Sequence, residues 1–308
     1  MKNVLILGAY GFIGRCLANE LSKKVNVIGY DKESVSVTTR HIFPCLHGDF
    51  LADTRLAGKF REILNTHEID TVYHLISTTV PAAGTKYMAQ EIEDNVVSSV
   101  KLLESMRNTG VKRVIFASSG GTVYGESKGR PHPCSDGTFP ICSHGIQKTT
   151  IEHYLQLYDR LGIVKCLIAR ISNPYGCMPL QNRKQGVIPI LLSKLVAGEP
   201  IAIFGNTVRD YIYIDDTIDA LIRLGYYDKD KRVFNIGTGK STRLHDLVAM
   251  CEKTANRKFS AIEFQDIREC DVVENILDIS ETITELDWIP NILLEEGIKL
   301  TFQGISDK

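Results

Sequence analysis

The segment Gly8-Ala9-Tyr10-Gly11-Phe12-Ile13-Gly14 sits between a short apolar run, Val4-Leu5-Ile6-Leu7, and a stretch of helical periodicity over 12–23. A strand that passes through three glycines directly into a helix leaves few folds open. The glycines permit a tight turn and close approach of backbone to a ligand, and the helix N-terminus then presents N–H groups to an anion. A second apolar run, 25–30, ends in Asp31. An acid at that strand end accepts hydrogen bonds from ribose hydroxyls and repels a 2′-phosphate. The expected ligand is therefore a dinucleotide, NAD rather than NADP, with Gly8, Gly11, Phe12, Ile13, Gly14 and Asp31 around it. The alternative is a glycine turn followed by an unrelated strand-end acid, and the ordered run of strand, turn, helix, strand and acid argues against it.

Further along, apolar strand-like runs at 71–75, 114–118, 166–171 and 233–236 alternate with helical patterns at 89–108 and 143–161. Continuous apolar strands separated by helices predict a parallel sheet covered on both faces, hence an α/β, doubly wound (Rossmann) fold with ligands at the carboxyl ends of the strands. After Ile171 the alternation loosens. The segment 178–186 reads as a loop, 188–195 as a short helix, 199–203 as a small strand, and Asp215-Asp216 as a helix N-cap before 217–224. The expected division is 1–172 plus 208–236 for the dinucleotide-binding domain, with 173–207 plus 237–308 forming a smaller interleaved substrate domain.

A formal net charge of −1 gives no electrostatic case for nucleic acid or an anionic membrane. No apolar run approaches the ~20 residues of a membrane span, and Met1-Lys2-Asn3 runs straight into the first strand without a secretory segment. The eight cysteines are scattered without a CxxC pair, which reads as reduced thiols in the cytoplasm. No HExxH occurs, so no metal is expected. Gly237-Thr238-Gly239-Lys240-Ser241-Thr242 imitates the end of a triphosphate-binding loop, but Phe234 stands where that motif needs its first glycine. It reads as a turn before a helix at 244–253.

Several strings together resemble one family, the extended short-chain dehydrogenase/reductases. They are the Gly8-x-x-Gly11-x-x-Gly14 spacing, Gly48-Asp49-Phe50, His74-Leu75, Asn95 within a helix, and Ser118-Ser119-Gly120-Gly121-Thr122-Val123-Tyr124-Gly125. The subgroup resembled is that of the nucleotide-sugar epimerases of the UDP-glucose 4-epimerase kind. It is carried by Arg170-Ile171-Ser172-Asn173-Pro174-Tyr175-Gly176, Gln185-Gly186-Val187-Ile188-Pro189, Arg209-Asp210-Tyr211-Ile212-Tyr213-Ile214-Asp215-Asp216 and Phe234-Asn235-Ile236-Gly237. Leu277-Asp278-Ile279-Ser280 and Leu294-Glu295-Glu296-Gly297-Ile298 extend it over nearly the whole chain. The resemblance implies that Asp49 and Phe50 bracket the adenine, and that Leu75, Asn95 and Ser118 line the cofactor. It implies further that Lys148 binds the nicotinamide ribose, that Asn173 contacts the sugar diphosphate, and that Arg209 and Arg268 neutralise it. It also implies a homodimer, pairing the Asn95 helix with the His153 helix, and a place in precursor synthesis for surface polysaccharide.

One position departs from that pattern. In the family a tyrosine stands four residues before the lysine, whereas this chain reads His144-Gly145-Ile146-Gln147-Lys148. On a helix His144 and Lys148 share a face. A histidine can exchange a proton near neutral pH, and a nearby ammonium favours its neutral form. It extends ~2 Å less than a phenol, so a bridging water or a closer sugar is needed. The family's catalytic hydroxyl falls at Gly120, leaving Ser119 and Thr122 as the nearest substitutes. The catalytic candidates are thus His144, Lys148 and Ser119, against the alternative of an ordinary surface histidine. The expected chemistry is NAD-dependent redox at C4 of a nucleotide-diphosphate hexose, with a UDP-sugar 4-epimerase first. The alternatives are a reductase of a 4-keto-6-deoxy nucleotide sugar (dTDP- or GDP-linked) using NAD(P)H, and a catalytically silent NAD-binding protein.

Overall fold

A computed structural model describes residues 1–32, 43–56, 58–79, 87–127, 129–176 and 186–306. The expected loop at 178–186 therefore lies, up to residue 185, outside the described residues. Among the described residues thirteen strands run in chain order: β1 (Asn3–Leu7), β2 (Asn26–Asp31), β3 (Cys45–His47), β4 (Thr71–His74), β5 (Arg113–Ser119), β6 (Lys165–Ile171), β7 (Asn173–Tyr175), β8 (Ile201–Phe204), β9 (Val208–Tyr213), β10 (Val233–Ile236), β11 (Ser241–Arg243), β12 (Ile262–Gln265) and β13 (Glu274–Asn275). The chain divides into two compact units. The first comprises Met1–Ser119, Cys142–Arg170 and Ile218–Phe234, and the second Gly120–Ile141, Ile171–Thr217 and Asn235–Lys308.

The first unit is built on a seven-stranded sheet of order β10-β6-β5-β4-β1-β2-β3. β1 pairs in parallel with both β2 and β4, β2 with β3, and β4 with β5. This is the doubly wound α/β arrangement, and its order reverses between β1 and β4, the position at which sheets of this kind take their ligands. Val4, Leu5, Ile6 and Leu7 are wholly buried, as a strand covered on both faces requires. Leu5, Leu7, Phe60, Val72, Val114, Phe116, Leu155 and Ile168 belong to one apolar cluster beneath the covering helices.

The pattern at 89–108 predicts one uninterrupted helix, and the structure differs. It runs as Met88–Glu91, then a π-helical turn Ile92–Val97, then Ser98–Ser105. Side chains serve the backbone acceptors of the widened turn. Ser98 Oγ donates to the Glu93 carbonyl at 3.1 Å, and Asn95 Nδ2 to the Glu91 carbonyl at 2.9 Å. Such turns concentrate at functional sites, and this one carries Asn95.

In the second unit β9 is the central strand, parallel to β7 and β13 and antiparallel to β11. β8 and β12 form a separate parallel pair. Helix Leu244–Ala255 packs on Val187–Ala197 and on Leu294–Ser306. The division differs from 1–172 plus 208–236 at 120–141, 171–172, 208–217 and 235–236, all of which go with the second unit. Residues 208–217 go with the second unit because β9 takes its partners there. Residues 120–141 do so because Tyr124 Oη donates to Asn235 Oδ1 at 2.7 Å, and Asn235 Nδ2 to the His132 carbonyl at 2.7 Å. Asp215 and Asp216 lie inside the first turn of helix Ile214–Tyr226 rather than at its N-cap. The Asp216 carboxylate instead accepts from the Asn291 and Ile292 amides, both at 3.0 Å.

Candidate active site

The glycine turn follows β1 at the point where the sheet order reverses. Gly8 has φ +83°, and its N–H donates to the Tyr30 carbonyl at 2.8 Å. The Gly11 N–H closes the turn on the Gly8 carbonyl at 3.1 Å. A Cβ on Gly14 would stand 2.0 Å from that same oxygen, so the third glycine is a steric requirement for bringing helix Phe12–Leu21 onto the strand. Asp31, at the end of β2, accepts from the Tyr10 amide at 2.8 Å and from the Lys32 amide at 2.7 Å. The acid thus ties the second strand to the turn. Tyr10 lies with its ring stacked on His47, centroids 5.9 Å apart, and 6.3 Å from Phe43. Burial pushes the Tyr10 hydroxyl up to about 12, helped by its hydrogen bond with Cys45. This cluster beside Asp31 went unread in the sequence, because no spacing rule links position 10 to positions 43–47.

Asp49 caps helix Phe50–Arg55, accepting from the Ala52 amide at 3.1 Å, and pairs with Lys32 at 2.9 Å. The Lys32 ammonium is the main reason its carboxyl lies below the usual range. Phe50 is a core residue, its ring edge-on to Phe60 at 5.6 Å. Leu75 is half-buried, and its amide donates to the Leu7 carbonyl at 3.1 Å, holding the post-β4 segment against the turn.

On helix Ser143–Arg160 the residues His144, Lys148 and Glu152 recur every fourth position, and all three are buried. Glu152 receives a bidentate Arg170 guanidinium at 2.6 and 3.1 Å, and it also accepts a short hydrogen bond from Ser118 Oγ. The Ser118 hydroxyl is therefore engaged with Glu152. Lys148 Nζ donates to the Ala117 carbonyl at 2.8 Å and lies 4.7 Å over the Phe116 ring. Burial pulls its ammonium pKa down to about 8, against the opposing pull of Glu152. The imidazole of His144 lies 3.1 Å from Thr79 Oγ1 through Nδ1. Burial, then the Lys148 ammonium, push its pKa down to about 3, with Thr79 acting against them. His144 is thus a buried neutral imidazole, not an ordinary surface residue.

Asn95 is buried, and its amide is fully occupied within the protein. Oδ1 accepts from the Thr78 amide at 2.9 Å, and Nδ2 reaches Thr78 Oγ1 and Gln147 Oε1, each at 2.9 Å. Ser119 is half-buried at the end of β5. Thr122, in the short helix Gly120–Val123 of the second unit, has a buried hydroxyl without a hydrogen-bond partner among the described residues.

The expected substrate residues Asn173, Arg209 and Arg268 all fall in the second unit. Asn173 Nδ2 donates to the Asp210 carbonyl at 2.8 Å. The Arg209 guanidinium donates to the carbonyls of Val272 at 2.6 Å, Val208 at 2.9 Å and Val273 at 3.2 Å, and burial lowers its pKa. Arg268 lies 4.0 Å over the Phe204 ring and starts the turn that leads to Val272. The segment 268–273 thus carries Arg268 and supplies the Val272 and Val273 carbonyls to Arg209. The loop-like string at 237–242 folds around a carboxylate of its own chain. Asp210 accepts from the Thr238 amide at 2.8 Å, the Thr238 hydroxyl at 2.7 Å and the Gly239 amide at 3.0 Å. The amides that would cradle a phosphate are spent on that carboxylate, and helix Leu244–Ala255 follows. Among the described residues no three His, Cys, Asp or Glu side chains are grouped to hold a metal ion.

Comparison with known proteins agrees with this architecture. The chain is 35% identical over 313 residues to a dTDP-4-dehydro-6-deoxyglucose reductase of Escherichia coli, covering all of this chain and 98% of that protein. It is 29% identical to a UDP-glucose 4-epimerase of Mycolicibacterium smegmatis, over 99% of this chain and 98% of the relative. The crystal structure of a UDP-glucose 4-epimerase from Thermotoga maritima with UDP-glucose superposes with a TM-score of 0.90 at 31% identity, over 99% of each chain. The sequence profile of the NAD dependent epimerase/dehydratase family matches residues 4–237. With the glycine turn, Asp31 and the Lys148 helix in place, the chain belongs to the NAD dependent epimerase/dehydratase family.

Proposed function

We propose that this protein carries out NAD-dependent oxidation and reduction at C4 of a nucleotide-diphosphate hexose, with the UDP-sugar 4-epimerase reaction as its first reading. The observation that carries the proposal is the neutral His144 one helical turn from Lys148, in the same unit as the glycine turn and Asp31. The residues present fit NAD. The turn leaves no room for a Cβ at Gly14, and Asp31 stands where ribose hydroxyls would be received. Bound NAD would supply a hydride acceptor and donor at the sugar carbon.

Everything else falls to the chain. Gly8, Gly11, Phe12, Ile13 and Gly14 receive the pyrophosphate, Asp49, Phe50 and Leu75 flank the adenosine half, and Lys148 holds the nicotinamide ribose. His144 takes the proton from the sugar hydroxyl at C4 and later returns it, assisted by the Ser119 hydroxyl. His144 is neutral at rest and so holds a lone pair for this first step, while its lowered pKa makes it a weak base until bound substrate and cofactor change its surroundings. Asn173, Arg209 and Arg268 hold the diphosphate, and Ser118 and Asn95 act through Glu152 and Thr78.

The reductase reading draws its support from the Escherichia coli relative, a dTDP-4-dehydro-6-deoxyglucose reductase. There the same imidazole must be loaded with a proton before each turnover, against its lowered pKa. The test is to denature the purified protein and assay the supernatant for nicotinamide nucleotide, then supply UDP-glucose or a nucleotide-linked 4-keto-6-deoxy hexose with NADH. About one NAD per chain with UDP-glucose converted to UDP-galactose supports the epimerase. An empty protein that oxidises NADH with the keto sugar replaces it by the reductase, and bound NAD without turnover of either sugar refutes both.

We further propose a homodimer through the face that carries Ile92, Ile146, Tyr154, Leu157 and Leu161. These large apolar side chains are exposed on the 88–105 and 143–161 segments. We also propose a cytoplasmic location, which the scattered cysteines without a CxxC pair support. No helix among the described residues is long and apolar enough to cross a membrane.

A further inference from the structure

We infer that Thr79 is a positioning residue for His144, fixing the imidazole tautomer that leaves Nε2 to exchange the proton with the sugar hydroxyl. The inference rests on the reading of His144 as the proton-transfer group and names the part that makes the imidazole competent. A neutral imidazole carries one N–H, and the partner of one ring nitrogen decides which face of the ring is basic. The ring's Nδ1 lies 3.1 Å from Thr79 Oγ1, and the Thr79 backbone also bonds the imidazole. When Nδ1–H donates to the hydroxyl oxygen, the lone pair is left at Nε2. A hydrogen bond from the ring to the Thr79 backbone works against burial and Lys148 in setting the imidazole's basicity, which also favours the proton on the side of the ring that faces Thr79.

The hydroxyl is held in place from two directions. Thr79 is itself buried, and its carbonyl accepts from Ser77 Oγ at 3.2 Å. Thr78 is clasped twice by Asn95, and Asn95 Nδ2 donates to Gln147 Oε1, three residues after His144 on the same helix. Gln147 Nε2 reaches Ser143 Oγ at 2.9 Å and Glu91 Oε2 at 3.1 Å. The path His144–Thr79–Thr78–Asn95–Gln147 thus leaves the helix and returns to it less than one turn on. Such a closed ring sets the imidazole plane against the end of β4, where the sheet order reverses. The π-turn that carries Asn95 thereby acts on the reacting group through Thr79.

The experiment compares Thr79→Val, which keeps the shape and removes the hydroxyl, with Thr79→Ser, which restores it. Thr79→Val is expected to retain NAD and a wild-type KM while kcat falls ten- to a hundredfold, the loss that follows from misplacing a reacting group by about 1 Å. Thr79→Ser is expected to recover kcat to within about threefold of wild type. In 15N spectra of imidazole-labelled protein, wild-type His144 should show the Nδ1–H pattern and Thr79→Val a mixture of tautomers. A wild-type kcat and an unaltered Nδ1–H pattern in Thr79→Val would overturn the inference. Should that variant fail to fold, the wild-type spectrum decides alone, and an Nε2–H pattern refutes the assignment. His144→Phe separates the two layers. If it stays active, the reading of His144 falls, whereas a dead His144→Phe beside a fully active Thr79→Val removes only the role of Thr79.

Discussion

Folding transfers His144 from water, where an imidazole titrates near ~6.5, to a site where its pKa is about 3. Between those two values the unfolded chain binds a proton here that the folded chain does not. The stability contribution is therefore fully present above ~6.5 and is lost progressively as pH falls towards the folded pKa. At pH 5 the gap is ~1.5 pH units, which at ~1.4 kcal/mol per unit costs about 2 kcal/mol; near pH 8 it costs nothing. His144→Phe removes the titrating group and keeps the site filled. Its constant penalty, a Thr79 hydroxyl without its partner, is about 1 kcal/mol at every pH. Urea unfolding of wild type and His144→Phe near pH 8 and near pH 5 should then show the difference move by about 2 kcal/mol in favour of the variant at the lower pH. His74, buried and likewise pushed to about 3, is present in both proteins and cancels. A difference that is the same at both pH values would refute the burial argument, and with it the claim that His144 rests as a neutral base.

Gly14→Ala places a methyl 2.0 Å from the Gly8 carbonyl oxygen, so the turn must open, and bound NAD on purification should fall at least about a hundredfold. Undiminished NAD content would show that the turn is not the pyrophosphate site. Asp31→Ala should weaken NAD binding by about tenfold or more, read by titration of the stripped protein, since it removes the ribose acceptor and frees the Tyr10 amide. Glu152→Gln removes the negative charge from the buried pairing with Arg170 and should cost about 3–5 kcal/mol in urea unfolding; a loss under about 1 kcal/mol would contradict the buried pairing. The same change removes the group that holds the Lys148 pKa up, so the amine should titrate below about 8, measurable by 13C shift of labelled lysine.

What was legible in the sequence is what local chemistry dictates, and what was hidden depends on partners far along the chain. Gly8, Gly11 and Gly14 announce a turn because a glycine there answers to one neighbour's carbonyl, and strand runs announce a doubly wound sheet because burial on both faces writes itself into composition. The π-turn at Ile92–Val97 was invisible, since the apolar period of 89–108 suits a regular helix and only Asn95's partners at Thr78 and Gln147 fix the widened geometry. Thr79 was hidden for the same reason, lying 65 residues from the imidazole it meets. The string at 237–242 makes the converse point. Its glycines and hydroxyls are what a phosphate loop uses, yet Asp210, 28 residues earlier, supplies the anion that those amides bind. An amide-rich turn specifies only that some anion will be held, and the fold decides whether that anion comes from the chain or from a ligand. At Gly8–Gly14 the acid tied to the turn is Asp31, which takes the Tyr10 amide at the rim, while among the described residues the Gly11 N-cap position gives the helix behind it no side-chain hydrogen bond. That asymmetry between two glycine-rich turns of one chain separates a ligand site from a structural one more sharply than either motif does.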